Sequence, residues 1–224
     1  MEVQVLSGAY KETMIDLHTH SLFSDGVLIP SELVYRAKTA GYTAIGLTDH
    51  GDFSSFDYVI PRLIKAAISL SAAYDILVVP GIEITYVPPA QISKAVKECR
   101  KLGAKIVIVH GETPAETVPE GTNHAAIMAR TDILAHPGFI SAADVQFAKK
   151  QGVMLEITTR KGHCRGNAHV AKLARKYGAK LVLNTDTHTP DNLLKTELIT
   201  ETLLTSRLPK TYYNKMQKNA KELI

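Results

Sequence analysis

The chain has 224 residues, 45% of them apolar and 21% charged, a composition that fits a folded domain and excludes a disordered or fibrous one. With 26 basic and 22 acidic side chains the net charge is +4, too mild to name a partner, although a basic surface for anionic small molecules fits it. Nine Tyr, five Phe and no Trp argue against a stacking platform for nucleic acid, and two cysteines, Cys99 and Cys164, cannot frame a disulfide scaffold.

Residues 1–13 read as an N-terminal extension without the apolar stretch of a signal peptide. No window approaches eighteen apolar residues, so no membrane partner is expected and the predicted location is the cytoplasm. MIDLH (14–18) is the first of seven short β-branched apolar runs, each patterned as a buried strand. A helix over 31–40 follows, opened by Pro30-Ser31 and closed by Gly41. Next come TAIGLTDH (43–50), a helix over 57–74, ILVVPGIEI (76–84), a helix over 90–102 closed by Gly103, and KIVIVH (105–110). The polar connection 111–122 reads as a loop over the mouth of the fold. DILAH (132–136), a helix over 142–150 and GVMLEIT (152–158) lead to a helix over 167–177 closed by Gly178. KLVLNTDTH (180–188), a helix over 191–204 and a C-terminal helix in 209–224 complete the chain. The tail lysines Lys215, Lys218 and Lys221 read as a solvated face.

Alternating strands and helices predict an α/β fold with a parallel sheet. Because polar residues stand at the end of nearly every run, the reading is one distorted seven-stranded (β/α)7 TIM-like barrel over 1–224, with a metal site at the C-terminal face of the strands.

His18 and His20 stand at i and i+2, a spacing that puts both imidazoles on one face of a strand. Asp25 follows in a loop, His50 ends the second run, Glu83 stands in the third, His110 and His136 end the fourth and fifth, and Asp186 and His188 end the last. One such histidine is more often a structural hydrogen-bonder than a ligand, but six of the nine histidines occupy strand ends. Imidazole and carboxylate donors suit zinc, manganese or iron, and this many donors exceed the needs of one ion, so two or three divalent metal ions are expected. His124 and His169 stand at helix starts and read as surface or capping residues.

HTHSLFSDG, LTDH, GIE, VH, AHPG and NTDTH, in that order from Asp16 to about Pro190, resemble the motifs of the PHP family, named for polymerase and histidinol phosphatase domains. The resemblance implies a distorted seven-stranded barrel holding up to three ions. It places His18, His20, Glu83 and Asp186 on one ion, Glu83 with His110 and His136 on a second, and Asp25, His50 and His188 on a third. It also implies that Asp16 and Asp49 orient imidazoles.

Paired divalent ions suit hydrolysis at phosphorus. The loop Thr159-Arg160-Lys161-Gly162-His163-Cys164-Arg165-Gly166 offers cationic donors, with Arg160 and Arg165 as candidate phosphate clamps and His163 as a candidate proton donor to the leaving group. There is no Walker motif, GxGxxG or GxSxG elbow. The expectation is a metal-dependent phosphomonoesterase of histidinol-phosphatase type acting on a small phosphate ester. A phosphodiesterase or nuclease is the alternative, and an RNA-binding protein of RNase P subunit type the second.

Overall fold

The computed structural model describes residues 14–224, so the extension read over 1–13 lies outside the described residues. All seven apolar runs form strands: β1 (Ile15–Asp16), β2 (Ala44–Leu47) continued by β3 (His50–Gly51), β4 (Leu77–Ile84), β5 (Ile106–His110), β6 (Ile133–Ala135), β7 (Met154–Thr158) and β8 (Leu181–Asn184). Every pairing is parallel, in the order β1-β2-β4-β5-β6-β7-β8. β2 and β3 share one register against β4, with Ala44 opposite Leu77, Leu47 opposite Pro80 and His50 opposite Glu83. They are one strand interrupted at Thr48-Asp49, and the sheet is a nearly closed barrel of seven strands.

Period-two alternation sorts each strand into two faces. Val79, Ile106, Ile108, Ile133, Ala135, Met154 and Val182 pack together inside the barrel. Their neighbours Val78, Ile82, Val107, Val109, Leu134, Leu155, Leu183 and others pack outward under the helices. Continuing the inner parity toward the strand ends gives Glu83, His110, Glu156 and Asn184, so the layer above the apolar plug is polar and faces the mouth.

The seam between β8 and β1 is closed largely by side chains. One backbone bridge joins Thr19 to Thr187. Asp16 Oδ1 accepts from the amides of His18 and Thr185, and Asn184 Oδ1 accepts from the amide of Leu17. Asp49 accepts from the Ser21 amide and from the hydroxyls of Ser21 and Ser24. Asp16 and Asp49 therefore anchor backbone and serines, and neither makes the imidazole hydrogen bond expected of it.

Among the described residues, eight helices pack against the barrel: α1 (Pro30–Thr39), α2 (Phe56–Tyr74), α3 (Pro89–Lys101), α4 (Thr122–Met128), α5 (Ala142–Gln151), α6 (Asn167–Tyr177), α7 (Thr196–Thr205) and α8 (Thr211–Lys221). Gly41, Gly103 and Gly178, at φ of 93°, 101° and 74°, make the left-handed stops expected of them. The helix read over 191–204 starts late. A turn at Pro190–Asn192, capped by Thr189 and Asn192, is followed by extended Leu193, and the Leu194 amide donates to Tyr42 Oη at 2.6 Å. Burial of Leu193 and Leu194 keeps that stretch out of the helix. α8 covers the N-terminal end of the barrel, where Gln217 pairs with both backbone groups of Ile15 and Ala220 joins the inner core. No helix among the described residues is long and apolar enough to cross a membrane.

Candidate metal centre

The C-terminal face of the strands gathers all nine residues singled out as ligands. The His18 and His20 rings lie 5.0 Å apart, as their i, i+2 spacing requires. Asp186 and His188 are brought together differently. β8 stops at Asn184, and Asp186 turns back with φ of 55°, placing its Oδ1 3.1 Å from His20 Nε2 and 3.4 Å from His188 Nδ1. His136, just past β6, also has positive φ. Left-handed backbone at two non-glycine residues of one site is local strain that the surrounding fold must hold. Asp25 reaches the same face because Gly26 lies against the backbone of His20, where a Cβ would come 2.3 Å from the carbonyl oxygen. Asp25 Oδ1 then stands 3.1 Å from His188 Nε2 and 3.6 Å from His50 Nε2.

Four overlapping groups of donor atoms result: His20, Asp25, His50 and His188; His18, His20 and Asp186; His18, Glu83 and His136; and His110, His136 and His163. His163 is an addition to the expected set. Its loop is turned inward by Gly162 at φ of 93° and by Gly166, where a Cβ would lie 2.7 Å from Gly138 Cα. The His163 ring sits 4.4 Å from that of His136.

Buried polar atoms ordinarily find a hydrogen-bond partner. Here His18 Nε2, His20 Nε2, both oxygens of Glu83, both ring nitrogens of His136, one nitrogen each of His110 and His163, and Asp186 Oδ1 have none among the described residues. They converge on one another instead, with His18 Nε2 3.3 Å and His136 Nε2 3.7 Å from Glu83 carboxylate oxygens. Lone pairs aimed together in a dry site suit divalent cations, so the donor set fits the metals expected.

Glu156, which the sequence reading passed over, organises this cluster. It is fully buried. His18 Nδ1 and Asn184 Nδ2 both donate to its Oε1 at 2.8 Å, and the His136 amide donates to its Oε2 at 3.0 Å. Binding through Nδ1 leaves His18 Nε2 free to face the centre. Burial works to lower the basicity of His18, but Glu83, Glu156 and Asp186 together lift it well above the usual range. Burial raises Asp186 to about 7, with His18 opposing that shift. It also holds His20 and His136 well below the usual imidazole range, aided by His50 and His110 respectively. The buried carboxylates thus favour added positive charge while His20 and His136 stay neutral.

A cavity of about 360 Å³ opens above the cluster, lined by Ser24, Asp25, His50, Tyr86, His110, Glu116, Arg160, His163, Asp186 and His188 among others. Arg160, about a third exposed, donates from Nη1 to the Asn192 side chain at 3.4 Å and holds Nε 4.0 Å from Asp186 Oδ2. Arg165 and Lys161 are exposed and do not line this cavity, because the short 3₁₀ turn His163–Gly166 directs His163 inward and leaves Arg165 outside. Glu116, on the loop over the mouth, stands 3.3 Å from His110 Nε2 and 3.4 Å from His163 Nε2. His124 pairs with Asp144 at the surface and His169 with the Ile140 carbonyl, away from the cluster.

A family model for the PHP domain matches residues 16–216, and the chain belongs to that family of metal-dependent phosphoesterases. An uncharacterized protein of Methanocaldococcus jannaschii is 47% identical over 184 residues, covering 81% of this chain and 84% of that one. A probable phosphatase of Clostridium novyi is 27% identical over 228 residues, covering 88% of each. Among solved structures, archaeal ribonuclease P with mature tRNA contains a similar chain (TM-score 0.70, 18% identity, 94% and 89% covered). The histidinol phosphate phosphatase of Lactococcus lactis, complexed with zinc, L-histidinol and phosphate, has a TM-score of 0.61 at 17% identity, with 92% and 93% covered. At these identities the two structures speak for the fold alone.

Proposed function

We propose that the protein is a metal-dependent phosphomonoesterase acting on a small phosphorylated metabolite. The observation that carries this reading is the set of unpartnered, buried imidazole and carboxylate atoms converging beneath a cavity with an arginine at its rim. His18, His20, Glu83 and Asp186 would hold one ion, Glu83, His110 and His136 a second, and Asp25, His50 and His188 a third. When bound, such ions activate water and neutralise charge on phosphate oxygens.

The remaining work falls to the chain. Arg160, charged and half-buried beside Asp186, binds a phosphate oxygen and orients the ester. Arg165 lies outside the cavity, so it drops out of the phosphate site. His163 is held below the usual imidazole range, chiefly by burial, which disfavours the proton-donor role expected of it. We assign it instead to the His110–His136 group. Glu116, half-exposed between His110 and His163, is the group placed to carry a proton between solvent and the mouth. A probable phosphatase among the relatives supports the reaction class. The cavity volume, near the lower end of small-molecule sites, supports a metabolite over a polymer.

Replacing His110 or Asp186 with Ala tests this reading. Bound metal per chain and phosphate release should both collapse while circular dichroism stays native. Near-normal turnover in either variant would overturn it.

A further inference from the structure

A second cavity, of about 610 Å³, lies outside the barrel between α6 and the turn joining α7 to α8. Its lining is cationic. Lys172, Arg175 and Lys176 come from α6 and Arg207 from the turn, with Tyr212 and Ser206 beside them, and no carboxylate lines it. None of the four cations belongs to an ion pair among the described residues. Lys172 and Lys176 stand at i and i+4 with Arg175 between, a spacing at which like charges repel along a helix. Arg175 Nη1 also donates to the Arg207 carbonyl at 3.4 Å, and Arg207 has φ of 57°, so strained backbone holds the two arginines near each other.

The second observation is independent of charge. Ser206, 1% exposed, lines this cavity, and its Oγ is the one buried side-chain polar atom away from the metal centre that lacks a hydrogen-bond partner among the described residues. An orphan hydroxyl beside four unpaired cations is an incomplete hydrogen-bonding site for an anion. The volume lies within the range that holds a small ligand.

We propose that this cavity is a second anion site that binds a small phosphate-bearing molecule. Arg175 and Arg207 supply forked donors, Lys172 and Lys176 supply charge, and the Ser206 hydroxyl donates to a phosphate oxygen. None of these residues faces the metal centre, so the proposal stands or falls apart from the phosphoesterase reading.

The test uses the full chain, with inorganic phosphate as the probe, titrated by calorimetry and followed by phosphorus NMR at low salt. Asp186→Ala removes the competing mouth site, and phosphate should still bind that variant. Adding Lys172→Gln with Arg175→Gln should weaken this remaining binding by tenfold or more, while the same pair in the parent chain leaves monoester turnover unchanged. Ser206→Ala should weaken it about tenfold without lowering Tm, a loss that diffuse surface charge does not produce. Retained affinity in the charge variants would overturn the proposal, as would a Ser206→Ala variant indistinguishable from its parent. Tight binding of a single-stranded RNA of about 20 nucleotides through these residues, with phosphate not bound there, would also overturn it and assign the groove to a nucleic-acid backbone.

Discussion

Glu156→Gln is the most informative single change because it keeps shape and removes one acceptor. The native carboxylate accepts three hydrogen bonds on two oxygens, from His18 Nδ1, Asn184 Nδ2 and the His136 amide. A glutamine has one oxygen. If it faces His18 and Asn184, its amino group meets the His136 amide donor to donor; flipped, it meets His18 and Asn184 in the same way. At least one buried donor is left unsatisfied, at a cost of about 1–3 kcal/mol. In a chain of this size that lowers Tm by roughly 2–12 °C. Metal binding should weaken as well, because a neutral amide replaces the carboxylate that orients the His18 ring and raises its basicity, and changes at such partners weaken binding by about 10–100-fold. Thermal unfolding and zinc affinity against a competing chelator measure the two effects. Native zinc affinity in a folded Glu156→Gln protein would show that the Glu156 carboxylate does not orient His18 for metal.

Arg160→Ala should raise KM for a phosphomonoester by about tenfold or more, the cost of one lost charge-assisted contact, and leave metal content intact; loss of metal would show that Arg160 supports the cluster instead. Stripping metal with a chelator should lower Tm by about 8–16 °C, since an ion held a thousandfold above its Kd contributes roughly 4 kcal/mol; an unchanged Tm would contradict buried binding. Metal affinity should also depend on pH. Asp186 retains its proton up to about 7, and a metal must displace it, so this one proton weakens affinity as pH falls below 7, by up to tenfold per unit. Affinity that is flat between pH 5.5 and 8 would contradict this.

The strands were legible because continuous β-branched runs such as KIVIVH and ILVVPGIEI permit little else, and their polar ends announced the centre. Glu156 escaped notice because it stands inside the run GVMLEIT, where it breaks no pattern of termini. Counting by two from Met154, which faces the barrel interior, would have placed its carboxylate inward, one layer below the mouth. Asp186 and His188 end the last apolar run, but a left-handed turn, not the strand itself, brings them together. Arg165 and His163 lie in a loop without periodicity, and only the closely packed glycines at 138 and 166 decide which of them faces in. Asp16 and Asp49 sit beside ligands in sequence, yet the seam and the Ser21–Ser24 turn claim their oxygens.

Phosphomonoesterase activity is measured as phosphate release from a panel of small monoesters, including L-histidinol phosphate, by protein reconstituted with manganese or zinc. Chelated protein and the Asp186→Ala variant serve as controls. Efficient release is expected from at least one monoester, at kcat/KM of about 10⁴ M⁻¹s⁻¹ or better, abolished in both controls. No release from any monoester by fully metallated protein, with turnover of diesters in its place, would contradict it.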